Sequence, residues 1–305
     1  MQPFVSTAAT GADPRAVVAQ CREQLAFARN TANLGFVYVT EAMLTHLDEL
    51  LAALREVTGV QRWLGCSGVG VCANEREVYD MPAAAVMLSS FAPDAWMELP
   101  ASDFDTALTT AGDWEARFPG SLGLVHTTGA AAFHDGRLQT LVGRLANTFF
   151  VGGLSSSESS GAVAGSGISV ALFAPQIAVA VDHTQGCTPI GAPHRISSAQ
   201  RNVAIALDGR PALDVLREDV GEVMARDLSR TGNYIFAALS VPGSDTRDYM
   251  VRNLIGIDEQ QGLVAIGDDL EAQQELMFCR RDGNSARADL TRMTNALRKR
   301  IDGRP

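Results

Sequence analysis

Residues 182–197, DHTQGCTPIGAPHRIS, gather two histidines, a cysteine and an arginine around two proline-containing turns. Three chemistries use such residues. A metal site would take His183, Cys187 and His194, four and seven residues apart. Structural zinc wants four ligands and close pairs such as Cys-x-x-Cys, which the sequence does not contain, so zinc is not expected. A nucleophile would be Cys187, which follows Gly186 after the apolar run IAVAVDH, where turn amides depress a thiol pKa. The plainer reading is a turn cysteine packed under Pro189. Haem needs one axial histidine facing an apolar cleft. His126 and His183, each ending an apolar run read as a strand, are the candidates, against a strand-end histidine bonded to backbone. His46 and His134 read as capping or solvated residues at helix starts.

Composition narrows the field. The chain has 305 residues, 46% of them hydrophobic, enough for about two domains. No window approaches the ~18 apolar residues of a membrane helix, and the N-terminus lacks the order of a signal peptide, so a soluble, cytoplasmic protein without membrane insertion is expected. Five scattered cysteines fit reduced thiols. A net charge of −10 argues against nucleic acid as a partner. Lys299 is the sole lysine, which removes Schiff-base and P-loop chemistry.

The elements that must position these residues come from an internal repeat. LGFVYVT at 34–40 aligns with LGLVHTT at 122–128, an offset of 88 that also places His46 on His134, Gly65 on Gly153 and Ser67 on Ser155. Further on the offset becomes 82, setting AAVMLSSFAP on ISVALFAP. Each copy, about 34–93 and 122–175, reads as strand, amphipathic helix, strand, Gly-Ser turn, strand. Leu47, Leu50, Leu51 and Leu54 give the first helix one apolar face; Leu138, Leu141, Val142 and Leu145 give the second, over about 134–147, a looser one. The strand PFVSTAA and a helix opened by Asp13 and Pro14 precede them. The fold class is α/β (mixed α+β) with two domains, 1–203 and a strand-rich 204–305, parallel pairs within each copy and an antiparallel closing strand. After residue 200 the reading is strand, Asp208-Gly209 turn, helix, a helix near 222–228, four strands and a final helix.

GCSG at 65–68, GGLSS at 152–156, TQGCTPIG at 184–191, LDGRPALDVL at 207–216 and MVRNLIGID at 250–258, in this order, resemble the FIST family, with its N-terminal and C-terminal FIST domains. The resemblance implies a sensory, signal-transducing module that binds a small ligand such as an amino acid and works with a separate signalling partner. It also implies, as an alternative, a haem-binding nitric oxide sensor, and a C-terminal domain shorter here than in the family. An enzyme using Cys187 or Cys66 is the reading from a different class; no catalytic constellation appears in the sequence.

Small residues at the two Gly-Ser turns let backbone amides and hydroxyls approach a ligand. The expected ligand-binding set is Gly65, Ser67, Gly153, Ser155, Gly186, Cys187 and Arg252, around one hollow. Arg252 joins it because a guanidinium inside YMVRNLIGI is costly to bury unpaired; the alternative is an edge-strand arginine paired with Asp248 or Asp258. GVGVCA lacks the helix and acidic residue of a dinucleotide fingerprint, and neither Ser67 nor Ser155 has the flanking glycines of a nucleophile elbow. Trp63, Trp96 and Trp114 share no spacing and read as core.

Overall fold

The structure, a computed structural model, describes residues 4–26, 28, 31–100, 103–129, 135–157, 167–225, 234–240 and 249–301. It divides into two units, 1–179 and 180–304. The family-length boundary expected at 203/204 lies beyond that structural division.

The first unit is the repeat made visible. One copy runs β1 (Phe4–Thr10), α1 (Pro14–Ala26), β2 (Leu34–Thr40), a 3-10 turn (Glu41–His46), α2 (Leu47–Thr58), β3 (Trp63–Leu64) and β4 (Ser67–Gly68). A small hairpin, β5 (Gly70–Ala73) and β6 (Arg76–Tyr79), precedes its closing strand β7 (Ala83–Ser89). The other copy runs β8 (Trp96–Glu98), α3 (Phe104–Arg117), β9 (Leu122–Thr127), α4 (Arg137–Arg144), β10 (Phe149–Leu154) and β11 (Ile168–Phe173). Strand orders β1-β7-β2-β3 and β8-β11-β9-β10 are the same. The repeat therefore includes the leading strand and helix of each copy, which the sequence reading set outside it. In both copies the closing strand is antiparallel to its neighbour, while β2–β3 and β9–β10 are parallel.

Alternation along the strands decides the layers. Val37 and Val39 of β2 join Val17, Val18, Leu50 and Leu54 in a core under α1 and α2. Val125 and Val170 join Ala107, Ala111, Leu141 and Leu145 in an equivalent core under α3 and α4. The opposite faces meet each other: Leu34, Phe36 and Leu64 pack with Trp96, Ala171 and Phe173. The result is four layers, helices, sheet, sheet, helices. All three tryptophans are buried in these cores.

Two register expectations change. Val37 pairs opposite the position of Gly65, because Gly35 faces Trp63 and Val39 faces Ser67, whereas Val125 faces Gly152. The second copy is thus one residue shorter before its third strand, and the counterpart of Gly65 is Gly152 rather than Gly153. In the closing strands the ladder matches Ser89 with Phe173, since these face the equivalent Leu34 and Leu122. That offset is 84, so the FAP motifs expected to align stand two residues apart. Val142, expected inward, is exposed, because α4 spans only Arg137–Arg144 and turns Leu141 to the core. His134 lies outside the described residues.

IAVAVDH forms no strand: residues 177–183 run as an irregular connection into the second unit, with Val179 half exposed. An apolar run without a neighbouring edge to pair with has nowhere to place its amides in a ladder. The second unit has β12 (Thr188–Pro189), β13 (His194–Gln200), β14 (Val203–Leu207), β15 (Arg210–Pro211), α5 (Ala212–Ala225), β16 (Ile235–Ser240), β17 (Tyr249–Asp258), β18 (Leu263–Ile266), β19 (Glu275–Arg280) and α6 (Gly283–Ile301). Its ladder runs β19-β13-β14-β18-β17-β16, and β16 pairs back to β19, so the sheet closes on itself. Leu213, Val215 and Leu216 of α5 pack into its core with Ile196, Val264 and Phe278. Helical backbone breaks at Gly221 (φ +77°), so residues 222–225 open the separate helix expected near 222–228; residues 226–233 lie outside the described ones.

Candidate functional site

The inner row of β2 reads Leu34, Phe36, Tyr38, and that of β9 reads Leu122, Leu124, His126. Each row ends in a polar ring at the C-terminal end of a strand with a parallel neighbour, where open α/β sheets bind ligands. The two rings meet: Tyr38 Oη lies 3.0 Å from His126 Nε2, with ring centroids 5.4 Å apart, edge to face. One step further, Ser67 Oγ and Ser155 Oγ are 2.7 Å apart. Both contacts join residues 88 positions apart in the chain. Tyr38 and His126 are like positions of the two copies, whereas by the ladder Ser67 corresponds to Leu154, so the serine contact is one residue out of that register. Ser156 completes the join, its amide donating to Ser67 O and its hydroxyl to Ser67 Oγ, while Ser157 N donates to Ser155 Oγ.

Gly65 allows the approach of strands that makes this possible. It has φ +147°, and a Cβ there would stand 1.7 Å from Val37 O. Gly152 meets Val125 O at the same 1.7 Å. Gly153 faces open space, with nothing within 4 Å of a Cβ.

Burial sets the electrostatics. His126 is 2% exposed, and burial drives its pKa down to about 4, so the imidazole is neutral at pH 7. Burial, with Cys66 beside it, pushes Tyr38 up to about 12, and burial raises the Cys66 thiol. Two atoms here lack partners among the described residues: His126 Nδ1 and Ser169 Oγ. Ser169 is the residue paired with His126 across the β9–β11 ladder. Leaving such atoms unmet costs roughly 1–3 kcal/mol each. When Tyr38 donates to Nε2, Nδ1 carries the imidazole hydrogen and presents a buried donor beside a buried hydroxyl.

The remaining expected site residues lie in the second unit, and the stretch 182–197 proves to be internally satisfied. Thr184 Oγ1, Gln185 N and Gly186 N, the last at φ +66°, all donate to Asp289 Oδ2 of α6; the two amides do so at 3.0 Å. Arg292 holds Oδ1 at 2.7 and 2.9 Å. Burial pushes the Asp289 pKa up, but Thr184, Arg292 and Gly186 outweigh it and hold it below the usual carboxylate range. This anion nest thus receives a carboxylate of its own chain. Cys187, 2% exposed, donates to Gln185 O at 3.4 Å and accepts from Arg281 Nε at 3.3 Å; neither neighbour is a general base. His194 sits between Asp208 (2.7 Å at Nδ1) and Asp219 (3.0 Å at Nε2). Arg252 Nε is 2.7 Å from Asp268, and its other nitrogens reach Val251 O and Met250 Sδ. Of the two acidic residues expected for it, Asp258 bonds Gln260 and Gln261 instead, and Asp248 lies outside the described residues.

No group of three metal-ligating side chains occurs among the described residues. Haem does not fit the two histidines proposed for it. His126 has Nε2 taken by Tyr38 and lies between two packed sheets; His183 is exposed in the irregular connection. Tyr38, Ser156 and Ser169 belong to this cluster and were not among the site residues expected from the sequence. The signal was present for one: Tyr38 and His126 occupy the same repeat position in strands otherwise apolar.

Comparison with known proteins decides the family. The FIST N domain matches residues 33–210 and the FIST C domain residues 212–303. The chain belongs to the FIST family. FIST domains are associated with sensory binding of small ligands, and the dyad of Tyr38, His126, Ser67 and Ser155 lies inside the FIST N match. Relatives include uncharacterized proteins of Mycobacterium tuberculosis strains H37Rv and CDC 1551, each 27% identical over 303 residues, 94% of this chain and 78% of theirs. An uncharacterized protein of Mycobacterium bovis is 29% identical over 127 residues, 40% of this chain and 32% of its own. No helix among the described residues is long and apolar enough to cross a membrane.

Proposed function

We propose that the FIST N domain of this chain senses a small polar ligand of amino-acid size at the dyad, and hands its bound state to a separate signalling protein without turnover. The observation that carries the reading is the pair of unmet buried atoms, His126 Nδ1 and Ser169 Oγ, at directly paired strand positions beside the serine cluster. A plain tight turn leaves no such debt; a ligand supplying one acceptor and one donor removes it. Absence of turnover is supported by the thiols and the phenol: Cys66 and Tyr38 are held protonated by burial, and the hydrogen-bond partners of Cys187 among the described residues, Gln185 O and Arg281, are not bases.

The test is a thermal-shift panel of amino acids on the full chain. A ligand at a hundred times its dissociation constant adds about 2.7 kcal/mol to stability, a shift of several degrees. The shift is expected to vanish in Ser169→Ala and in His126→Phe, with both variants still melting cooperatively. A panel without any shift, or a shift that both variants retain, rejects the dyad as the sensing site.

A further inference from the structure

The stretch 184–189 carries a thiol that serves neither the dyad nor the nest. All five cysteines are free, and two of them, Cys187 and Cys279, share one buried cluster of the second unit with Phe236 and Ala238. The backbone sets their meeting. Thr188 pairs with Arg280 and Pro189 with Cys279, and Ile190 N donates to Phe278 O, so Cys187 enters the ladder opposite Arg281, on the diagonal from Cys279. The Asp289 nest fixes the approach, since it fastens Thr184, Gln185 and Gly186, the three residues that lead into Cys187.

The two sulfurs are unlike. Arg281 Nε donates to Cys187 Sγ at 3.3 Å, and the guanidinium carbon of this exposed side chain stands 4.4 Å from the centre of the Phe236 ring. A guanidinium N–H is a donor that suits a thiolate, and the thiolate is the form of a cysteine that reacts. Cys279 is wholly buried and donates to Phe236 O at 3.6 Å. Burial first, then the charge and hydrogen bond of Cys187, push the Cys279 thiol up to about 12, against the pull of Arg281. One sulfur therefore sits under an exposed cationic side chain, with a protonated second sulfur beside it. An attacking thiol and a resolving thiol stand in that relation.

We propose that Cys187 and Cys279 form a reversible oxidation site, which a small hydroperoxide closes to an intramolecular disulfide. With hydrogen peroxide, the Cys187 thiolate attacks the O–O bond: an S–O bond forms, hydroxide leaves, and the sulfur becomes a sulfenic acid. Cys279 then gives up its proton and attacks the Cys187 sulfur. The S–S bond forms, the S–O bond breaks, and the departing hydroxide takes that proton as water. The thiols lose a pair of electrons, and the peroxide ends as two waters once the first hydroxide takes up the proton released by Cys187. The closing sulfurs must come to about 2.0 Å. Cys187 makes that movement from the start of β12, two residues long and preceded by irregular backbone. A small dithiol reverses the change by exchange and is itself left as a disulfide. One peroxide is consumed per chain until a reductant resets it, so the site is a switch and not an enzyme.

The probe is hydrogen peroxide, added to the reduced full chain, with free thiols counted after denaturation and the oxidised chain mapped by peptide mass spectrometry. Two of the five thiols are expected to disappear together, to return with dithiothreitol, and to map to one cross-linked peptide pair that holds Cys187 and Cys279. Cys279→Ala is expected to halt at the Cys187 sulfenic acid, which dimedone traps, and Arg281→Gln to slow the loss of thiols about tenfold. Mapping of the wild-type chain decides the pairing even if a variant fails to fold. Retention of all five thiols at peroxide levels that oxidise free cysteine, a disulfide between chains or one through another cysteine, or a folded Arg281→Gln that reacts at the wild-type rate overturns the assignment.

Discussion

The two halves of the first unit share topology and differ in how they spend their side chains. The first copy closes itself: α2 runs 12 residues, Met43 is wholly buried, and Tyr38 ends its inner row with a hydroxyl that burial keeps protonated. The second copy stays open: α4 runs eight residues, Val142 is exposed, a cleft lies under α3, and His126 ends the row with a nitrogen left unmet. Duplication supplies a scaffold twice, and only one copy is needed to hold it. On the proposed function the other does the binding, and the unmet nitrogen and the cleft both lie in it.

What both copies must keep is the close strand approach, and breaking it should have the largest effect. Gly65→Ala and Gly152→Ala each drive a Cβ to 1.7 Å from a neighbouring carbonyl oxygen that belongs to the backbone and has no rotamer to yield. Each is expected to cost more than about 4 kcal/mol, seen as loss of a cooperative urea transition. Gly153→Ala, in open space, should stay within about 0.5 kcal/mol. If Gly153 proved the sensitive residue and Gly152 the tolerant one, the one-residue shortening of the second copy would be wrong.

The different ring at the end of each row gives a pH signature to one copy alone. His126 titrates near 4 when folded against an ordinary 6.5, so the unfolded chain binds the extra proton first. The stabilisation is complete above about pH 6.5 and is lost as pH falls toward 4, to the extent of about 3 kcal/mol. Tyr38, at about 12, contributes nothing in that window. Denaturation midpoints of the wild type and of His126→Phe, compared at pH 7 and pH 4.5, should diverge, the variant losing less. In the second unit, His194 has the opposite sign. Burial pulls it down, but Asp208 and Asp219 together raise it, so its share of stability is present below 6.5 and lost as pH rises through the raised value.

Much of this was legible in the chain. The repeat, the strand-helix grammar and the serines of both turns could be read because equal spacing survives duplication, and Ser67 with Ser155 turned out to be bonded partners. The single-residue slip at Gly152 was not legible, since the two consecutive glycines 152 and 153 align equally well by type, and only a ladder shows which one faces Val125. IAVAVDH misled because composition reports apolarity but not whether an edge is available to pair. The partner of Arg252 was hidden for the same kind of reason: Asp268 lies on a turn 16 residues away, beyond the next strand. The stretch at 184–187 was legible as a turn whose amides could lower the Cys187 thiol pKa; that the amides of 185 and 186 instead serve Asp289, more than a hundred residues on, was not.

The last prediction tests the polar join between the copies. Ser67 and Ser155 share one hydrogen bond across the dyad, so each single alanine variant removes the same interaction and leaves the other hydroxyl to its remaining neighbours, Ser156 Oγ or Ser157 N. Each is expected to cost about 1 kcal/mol, and the double variant less than their sum by about 0.5–1.5 kcal/mol, in urea denaturation of all four proteins. Strict additivity would mean that the two turns act independently. Coupling of that size would instead make the dyad a continuous polar junction, in which a ligand meeting His126 and Ser169 in the second copy perturbs the strand ends of the first.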